Sequence, residues 1–398
     1  MSKEQIDYLL SPEAIRERTF KVYELAKSGK TNFQVNDDKL QEVSNFVLTV
    51  IKENYPDLNI PFHSRWGHFK VGGINRVDTL DEIIKPLDNL ERARIKLDLV
   101  ITSVLLDAGA GPKWQFNEDG KDYNRSEGLG VASFHMFMQG AFSEDNSPTA
   151  TAEGLSKITA QDVEKHFQVT DSNPLVGATG RASLLCSLGK TIKENPQIFK
   201  NGRPGNILDY LIDKHGMKFS AKDLLRAVLD AFGPIWPSRL SLDNTPLGDI
   251  WSYKPLGEGV DGYVPFHKLS QWLTYSLIEP IIESGVEVTN VAGLTGLAEY
   301  RNGGLLLDSG LIELRDASLA DHAHRPDSEI IIEWRALTVV FLDKIGKIIQ
   351  ESLNRSPEEF PLAKVLEGGT WWAGRRLAAK KRADSSPPLK LDSDGTVF

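Results

Sequence analysis

The chain predicts a mainly α, multi-helix protein with a few short strands. Three observations carry that expectation. Apolar residues recur at spacings of three and four through several long windows, as they do in helices with one buried face. Helix-start signals precede the windows, as in Ser11-Pro12-Glu13, where a hydroxyl cap is followed by a proline whose missing N–H would have no helical partner. Stretches with β character are confined to short runs such as residues 286–288.

In chain order, residues 11–27 form the first expected helix, with Ile15, Val22, Tyr23 and Ala26 among its apolar positions and Gly29 as its stop. A second covers about 37–54 through Leu40, Val43, Val47, Val50 and Ile51, and Pro56 forces a turn after it. Residues 61–70 place His63, Arg65, Trp66 and His68 in a dense polar-aromatic loop. Two histidines five apart share no helical face and have no carboxylate between them. The stretch therefore reads as a pocket-lining loop or a packed turn, and not as a metal site.

Two helices are expected between 78 and 106, the second patterned through Leu97, Val100, Ile101, Val104 and Leu105. It runs into Asp107-Ala108-Gly109-Ala110-Gly111-Pro112, small residues that let backbone approach a ligand, with Trp114 and Phe116 beyond as stacking faces. The glycine spacing matches neither a P-loop nor a dinucleotide fingerprint, and no cofactor is expected. A helix starts near Arg125-Ser126-Glu127-Gly128. The Ser-, Asp- and Asn-rich loop at 142–152 should be exposed. It is the candidate boundary if the single α-helical domain spanning 1–398 is split into two lobes. Residues 154–200 read as mostly helical with a break at 173–177, and helices follow at about 206–213 and 221–232. The segment 232–253 holds three prolines and two tryptophans, so it should pack as ordered irregular structure, and it contains Asp249.

The stretch 262–308 is where the chemistry is expected. A helix starting near Pro265 has a core stripe of Phe266, Leu269, Leu273, Leu277 and Ile281. Its neighbouring face carries Lys268, Gln271, Trp272, Tyr275 and Glu279, which either walls a polar pocket or is solvated. Glu299-Tyr300-Arg301-Asn302 follows, before two glycines, and Glu299 is the leading candidate for a catalytic carboxylate. A long helix is expected over 329–353, a last helical region over 360–379, and an extended tail over 383–398.

With 40% hydrophobic and 25% charged residues among 398, the composition is that of a globular protein. A net charge of −9 argues against nucleic acid as a partner, since phosphate-backbone binding needs clustered Lys and Arg. A local cationic pocket for a small anion remains compatible with it. Cys186 is the single cysteine, so no intrachain disulfide and no cysteine-rich zinc site can form. The N-terminal residues are charged where a secretory signal needs an apolar run, and no stretch approaches the roughly 20 apolar residues of a membrane span. A cytoplasmic protein without membrane contact is expected.

Six motifs carry a resemblance across nearly the whole chain: Ile60-Pro61-Phe62-His63-Ser64-Arg65-Trp66, 105–112, 125–128, 264–275, 294–304 and the terminal Ser393-Asp394-Gly395-Thr396-Val397-Phe398. They resemble the Urc4/Urg3 uracil-catabolism family. A more distant similarity links 266–271 and Leu294-Thr295-Gly296-Leu297-Ala298-Glu299-Tyr300-Arg301 to queuosine 5′-phosphate N-glycosylases, which have Asp where this chain has Glu299. That similarity implies a DNA-glycosylase-like, helix-hairpin-helix-type architecture.

Together the resemblances imply hydrolysis of a ring-opened uridine nucleotide such as ribosylurea 5′-phosphate, a phosphorylated ribosyl small molecule, to urea and ribose 5-phosphate. Glu299 would stabilise the oxocarbenium-like transition state. A second acid would protonate the leaving group, with Asp249, Asp107 and His267 as candidates in that order. Lys268 and Arg301 would hold the phosphate. Trp114 and Trp272 would cover the sugar or ureido plane, and Gln271, Tyr300, His63 and Arg65 would complete the binding set. Two alternatives stay open at this point: a ureido or amide hydrolase of the opened ring, and a non-catalytic scaffold or regulator.

Overall fold

Helices carry the architecture of the computed structural model, which describes residues 3–107, 109–235, 240–243 and 245–392. The terminal motif 393–398, Ala108 of the small-residue loop, and 236–239 with 244 of the proline-rich segment lie outside the described residues. Among the described residues no strand exceeds four residues, so helix faces do the burying. Nor, among them, is any helix long and apolar enough to cross a membrane.

The chain divides into two compact units. One comprises Met1–His63, Ser238–Trp272 and Asn290–Phe398, the other Ser64–Pro237 and Leu273–Thr289. The loop at 142–152 lies inside the second unit. Phe142 and Ala150 are fully buried there, and the Ala150 N–H donates to the buried Asp98 carboxylate at 3.2 Å. A segment that is polar by composition is thus pinned through its backbone.

In the first unit, Ser11 caps the helix Pro12–Lys27 by accepting from the Ala14 N–H, as the Ser-Pro-Glu signal predicts. Ile15 and Val22 of that helix pack against Ile332, Ala336 and Val339 of the long helix Glu329–Leu353. Trp251, Tyr253, Val264 and Phe266 join the cluster from an antiparallel pair, Ile250–Ser252 with Tyr263–Pro265. This pairing corrects the expected helix start at Pro265. The proline lies opposite Ile250 in a strand, His267 takes a φ of +48°, and the helix runs over Lys268–Glu283. The cause lies upstream: the Asp249 carbonyl takes the Phe266 N–H and its carboxylate takes the Lys268 N–H, both at 3.0 Å, so the helix starts where the acid caps it.

The helix Tyr300–Ser309 was not foreseen, because Gly303-Gly304 looks like a breaker. A Cβ at Gly303 would come within 2.7 Å of the Trp334 ring, and one at Gly374 of the helix Trp371–Lys381 would collide with the Arg301 carbonyl oxygen. Here glycine serves close packing between helices. The tail is tied back: Arg382 pairs with Asp308, Leu389 is buried, and Lys390–Leu391 forms a parallel pair with Ala323–His324.

In the second unit, Asn89–Leu105 is almost wholly buried in its latter half, consistent with its continuous apolar pattern. It is accompanied by the hairpin Gln115–Glu118 with Lys121–Asn124 and by the helices Arg125–Met138, Ala178–Glu194 and Ala221–Phe232. The valine-rich run becomes Glu287–Thr289, parallel to Lys218–Ser220.

Candidate active site

Glu299 is the N-cap of the helix Tyr300–Ser309, and only 7% of its surface is exposed. Its carboxylate accepts the Arg301 N–H at 2.7 Å and the Asn302 N–H at 2.6 Å. Burial raises the carboxyl above its ordinary range; the two N–H donors, and the charges of Lys268 and His63, pull it back without cancelling the rise. The candidate acid is therefore a desolvated carboxyl facing the positive end of a helix.

The backbone leading into Glu299 is clamped by four side chains. Arg16, paired with Asp343, donates to the carbonyls of Gly293 at 2.6 Å and Leu294 at 2.7 Å. Gln271 spends both ends of its amide on Thr295, accepting its N–H at 3.0 Å and donating to its hydroxyl. Asn302 donates to the Leu297 carbonyl at 3.2 Å. Arg335 donates to the Ala298 carbonyl at 3.3 Å. Gln271 thus acts one step behind the site, as a brace for the loop. Such a supporting shell holds a functional side chain in one geometry.

Arg335 also makes a bidentate pair with Asp249 at 2.8 and 2.7 Å, and lies over the Phe266 ring at 4.1 Å. Asp249 further accepts the Trp251 indole N–H at 2.7 Å. Burial alone would push the Asp249 carboxyl up, but the Arg335 charge and hydrogen bonds, with those of Lys268 and Trp251, outweigh it and hold the group well below the usual carboxylate range. A carboxylate fixed in its ionised form is a poor proton donor. His267 is 1% exposed, and its Nε2 meets the Leu9 carbonyl at 3.0 Å. Burial pushes its imidazole down, against the opposing pull of the Leu9 carbonyl and the Asp249 charge, so the proton-bearing cation is disfavoured there.

Arg301 donates to the Ser385 carbonyl at 2.8 Å and stacks over Tyr300 at 5.0 Å, binding the tail to the start of its helix. Trp272 is 5% exposed. Lys268, half-buried, opens its helix, and its charge acts on Glu299.

His63 contributes to the same unit. Its Nδ1 lies 2.7 Å from Glu367 Oε2, and its ring centroid 6.2 Å from that of Trp371. Glu367 sits on a π-helical turn, Leu366–Thr370, and was missed by the sequence reading, as was Arg335.

Asp107, Arg65 and Trp114 belong to the second unit. Arg65, fully buried, pairs with Asp107 at 2.9 Å and donates to Ser103 Oγ at 2.7 Å. Trp114 is a core residue, 1% exposed, with its indole N–H on the Phe167 carbonyl at 2.9 Å; it offers no face to a sugar. Among the described residues no group of three or more His, Cys, Asp or Glu is placed to hold a metal ion.

Comparison with known proteins supplies a lineage for this arrangement. The family described as "Protein of unknown function (DUF1688)" matches residues 8–398. "Uracil catabolism protein 4" of Lachancea kluyveri is 38% identical over 436 aligned positions, covering 99% of each chain. "Protein urg3" of Schizosaccharomyces pombe is 38% identical over 410 positions, covering 100% of each.

Proposed function

The chain belongs to the DUF1688 family, with Uracil catabolism protein 4 and Protein urg3 as full-length relatives, and from that premise we propose that it works in uracil catabolism as an N-glycosidase. Its substrate is a ring-opened uridine nucleotide such as ribosylurea 5′-phosphate, and its products are urea and ribose 5-phosphate. The observation that supports this most is the buried, clamped carboxyl of Glu299.

Cleaving a C1′–N bond builds positive charge on the ribose ring. A carboxylate already stripped of water gains more from a cation than a solvated one does, because the attraction is less screened. Ionised Glu299 therefore stabilises the oxocarbenium-like transition state more than the neutral ground state, which is the condition for catalysis. Its backbone hydrogen bonds keep the oxygens in place while the charge develops. Lys268 meets the 5′-phosphate, while Arg301, committed to Ser385 and Tyr300, holds the tail over the start of the helix. The resemblance of the Leu294–Arg301 motif to N-glycosylases, read from the sequence alone, points to the same acid before Tyr300-Arg301.

Purified protein incubated with synthetic ribosylurea 5′-phosphate tests the reading through release of urea. Urea and ribose 5-phosphate in equal amounts are expected. Ammonia with intact ribosyl product points instead to hydrolysis of the ureido group, and no turnover by folded protein sinks the glycosidase assignment.

A further inference from the structure

Urea leaves poorly unless its nitrogen is protonated as the bond breaks, so the proposed reaction needs an acid. The sequence offered three candidates, and the structure gives each another role. Asp249 is locked as a carboxylate by Arg335, His267 is buried against Leu9, and Asp107 pairs with Arg65 in the second unit. What the first unit holds instead is a histidine–carboxylate pair. We propose, resting on the glycosidase reading, that His63 is the general acid of this reaction and that Glu367 is the residue that positions it.

The geometry supports a tuned pair over a chance contact. The His63 N–H donates to the Ala363 carbonyl at 3.1 Å, which fixes the ring's origin beside the segment that carries Glu367. The π turn at Leu366–Thr370 interrupts the run from Leu362–Val365 to Trp371–Lys381 and sets the direction in which Glu367 leaves it. That turn can lie against the helix Leu40–Asn54 because it contains Gly368 and Gly369. A Cβ at either would come within 2.9 Å of Ile60 or 2.7 Å of Val47, and Asn54 donates to the Gly368 carbonyl at 3.1 Å. The His63 and Glu367 side chains are 13% and 19% exposed, so the pair is not sealed in the core.

Since a carboxylate only accepts, the 2.7 Å contact places a proton on Nδ1 of His63. The cation then carries its second proton on Nε2. In the reaction Nε2 gives that proton to the ureido nitrogen, and the C1′–N bonding pair goes to the same nitrogen, releasing urea. Water adds to C1′ and passes its proton to Glu299, from which it returns through solvent to His63, so no net proton is consumed.

Two measurements separate this assignment from the glycosidase reading itself. The first needs no activity. In protein with ¹⁵N-labelled histidine, the neutral His63 ring should carry its proton on Nδ1, and Glu367→Leu should shift it toward Nε2; an unchanged tautomer overturns the positioning role of Glu367. The second compares ribosylurea 5-phosphate with 4-nitrophenyl riboside 5-phosphate, whose leaving group needs no proton. His63→Gln should slow urea release by about 10²–10⁴-fold and slow aryl cleavage far less. Equal losses on both substrates, unchanged urea release, or a wild type that cleaves only the ureido substrate with His63→Gln fully active overturn the acid role. Wild-type protein that releases no urea overturns the glycosidase reading instead, and the tautomer result then still decides whether Glu367 sets the ring.

Discussion

Substituting Asp249→Asn distinguishes a structural carboxylate from a catalytic one. Asp249 accepts four hydrogen bonds, two from Arg335 at 2.8 and 2.7 Å, one from the Lys268 N–H at 3.0 Å and one from the Trp251 indole at 2.7 Å. Arg335 is 0% and Asp249 12% exposed, so neutralising the acid removes the carboxylate that pairs with a buried guanidinium. Breaking one side of such a pair costs about 3–5 kcal/mol. Replacing both, as Asp249→Leu with Arg335→Met, should recover most of it, since matched apolar residues are often as stable as a buried ion pair. Guanidinium chloride unfolding at pH 7, followed by circular dichroism, measures both. There is a pH signature as well. The folded carboxyl titrates below the unfolded value of about 3.9, so its contribution is present above that value and lost as pH falls through the folded one. The single variant should lack this acid-side loss. A cost under about 1 kcal/mol with urea release collapsing would refute the structural role and return Asp249 to the catalytic set.

Other outcomes follow from the same geometry. Glu299→Gln keeps a cap acceptor but removes the charge, so urea release should fall by about 10²-fold or more while the unfolding midpoint moves little. Because burial raises the Glu299 carboxyl, its contribution is present below the unfolded value of about 4.3 and is lost as pH rises through the folded value. Glu299→Gln should accordingly compare better with wild type in unfolding at pH 8 than at pH 4. Gln271→Leu removes the acceptor that the buried Thr295 N–H uses, at a cost of about 1–3 kcal/mol, and should lower the turnover rate in urea-release assays by loosening the loop before Glu299. Gly374→Ala drives a methyl into the Arg301 carbonyl and should destabilise by about 1–3 kcal/mol or more, seen as a lower thermal midpoint.

Local periodicity made the helices legible and left their ends to chance. Pro12–Lys27 and Glu329–Leu353 were readable because propensity, capping and apolar spacing agree there. Pro265 misled because the residue that starts the next helix is Asp249, sixteen positions earlier in sequence and visible as a cap only in three dimensions. Gly303 misled for a related reason: a glycine needed for contact between helices looks the same in sequence as one that breaks a helix. The acid Glu299 was legible only through its motif, since glutamate lies outside the usual N-cap set. Arg335 left one signal that could have been read, a guanidinium on the helix face it shares with Ile331, Thr338 and Leu342. Glu367 left none of that kind, because a π turn has no periodicity of its own.

Arg335 explains why those misreadings and the candidate site coincide. One guanidinium caps off the charge of Asp249, which begins the helix Lys268–Glu283, and holds the Ala298 carbonyl, which precedes Glu299. Lys268 and Glu299 thus owe their positions to a single buried cation on a third segment of the chain. Buried ion pairs add little net stability over apolar packing, but they tolerate only one arrangement of their partners. Here the arrangement they enforce is the spacing between the cation assigned to the phosphate and the carboxyl assigned to the sugar. The polar groups that look most catalytic in the sequence are therefore partly the frame, and Glu299, held by that frame, keeps the role proposed for it at the reacting carbon.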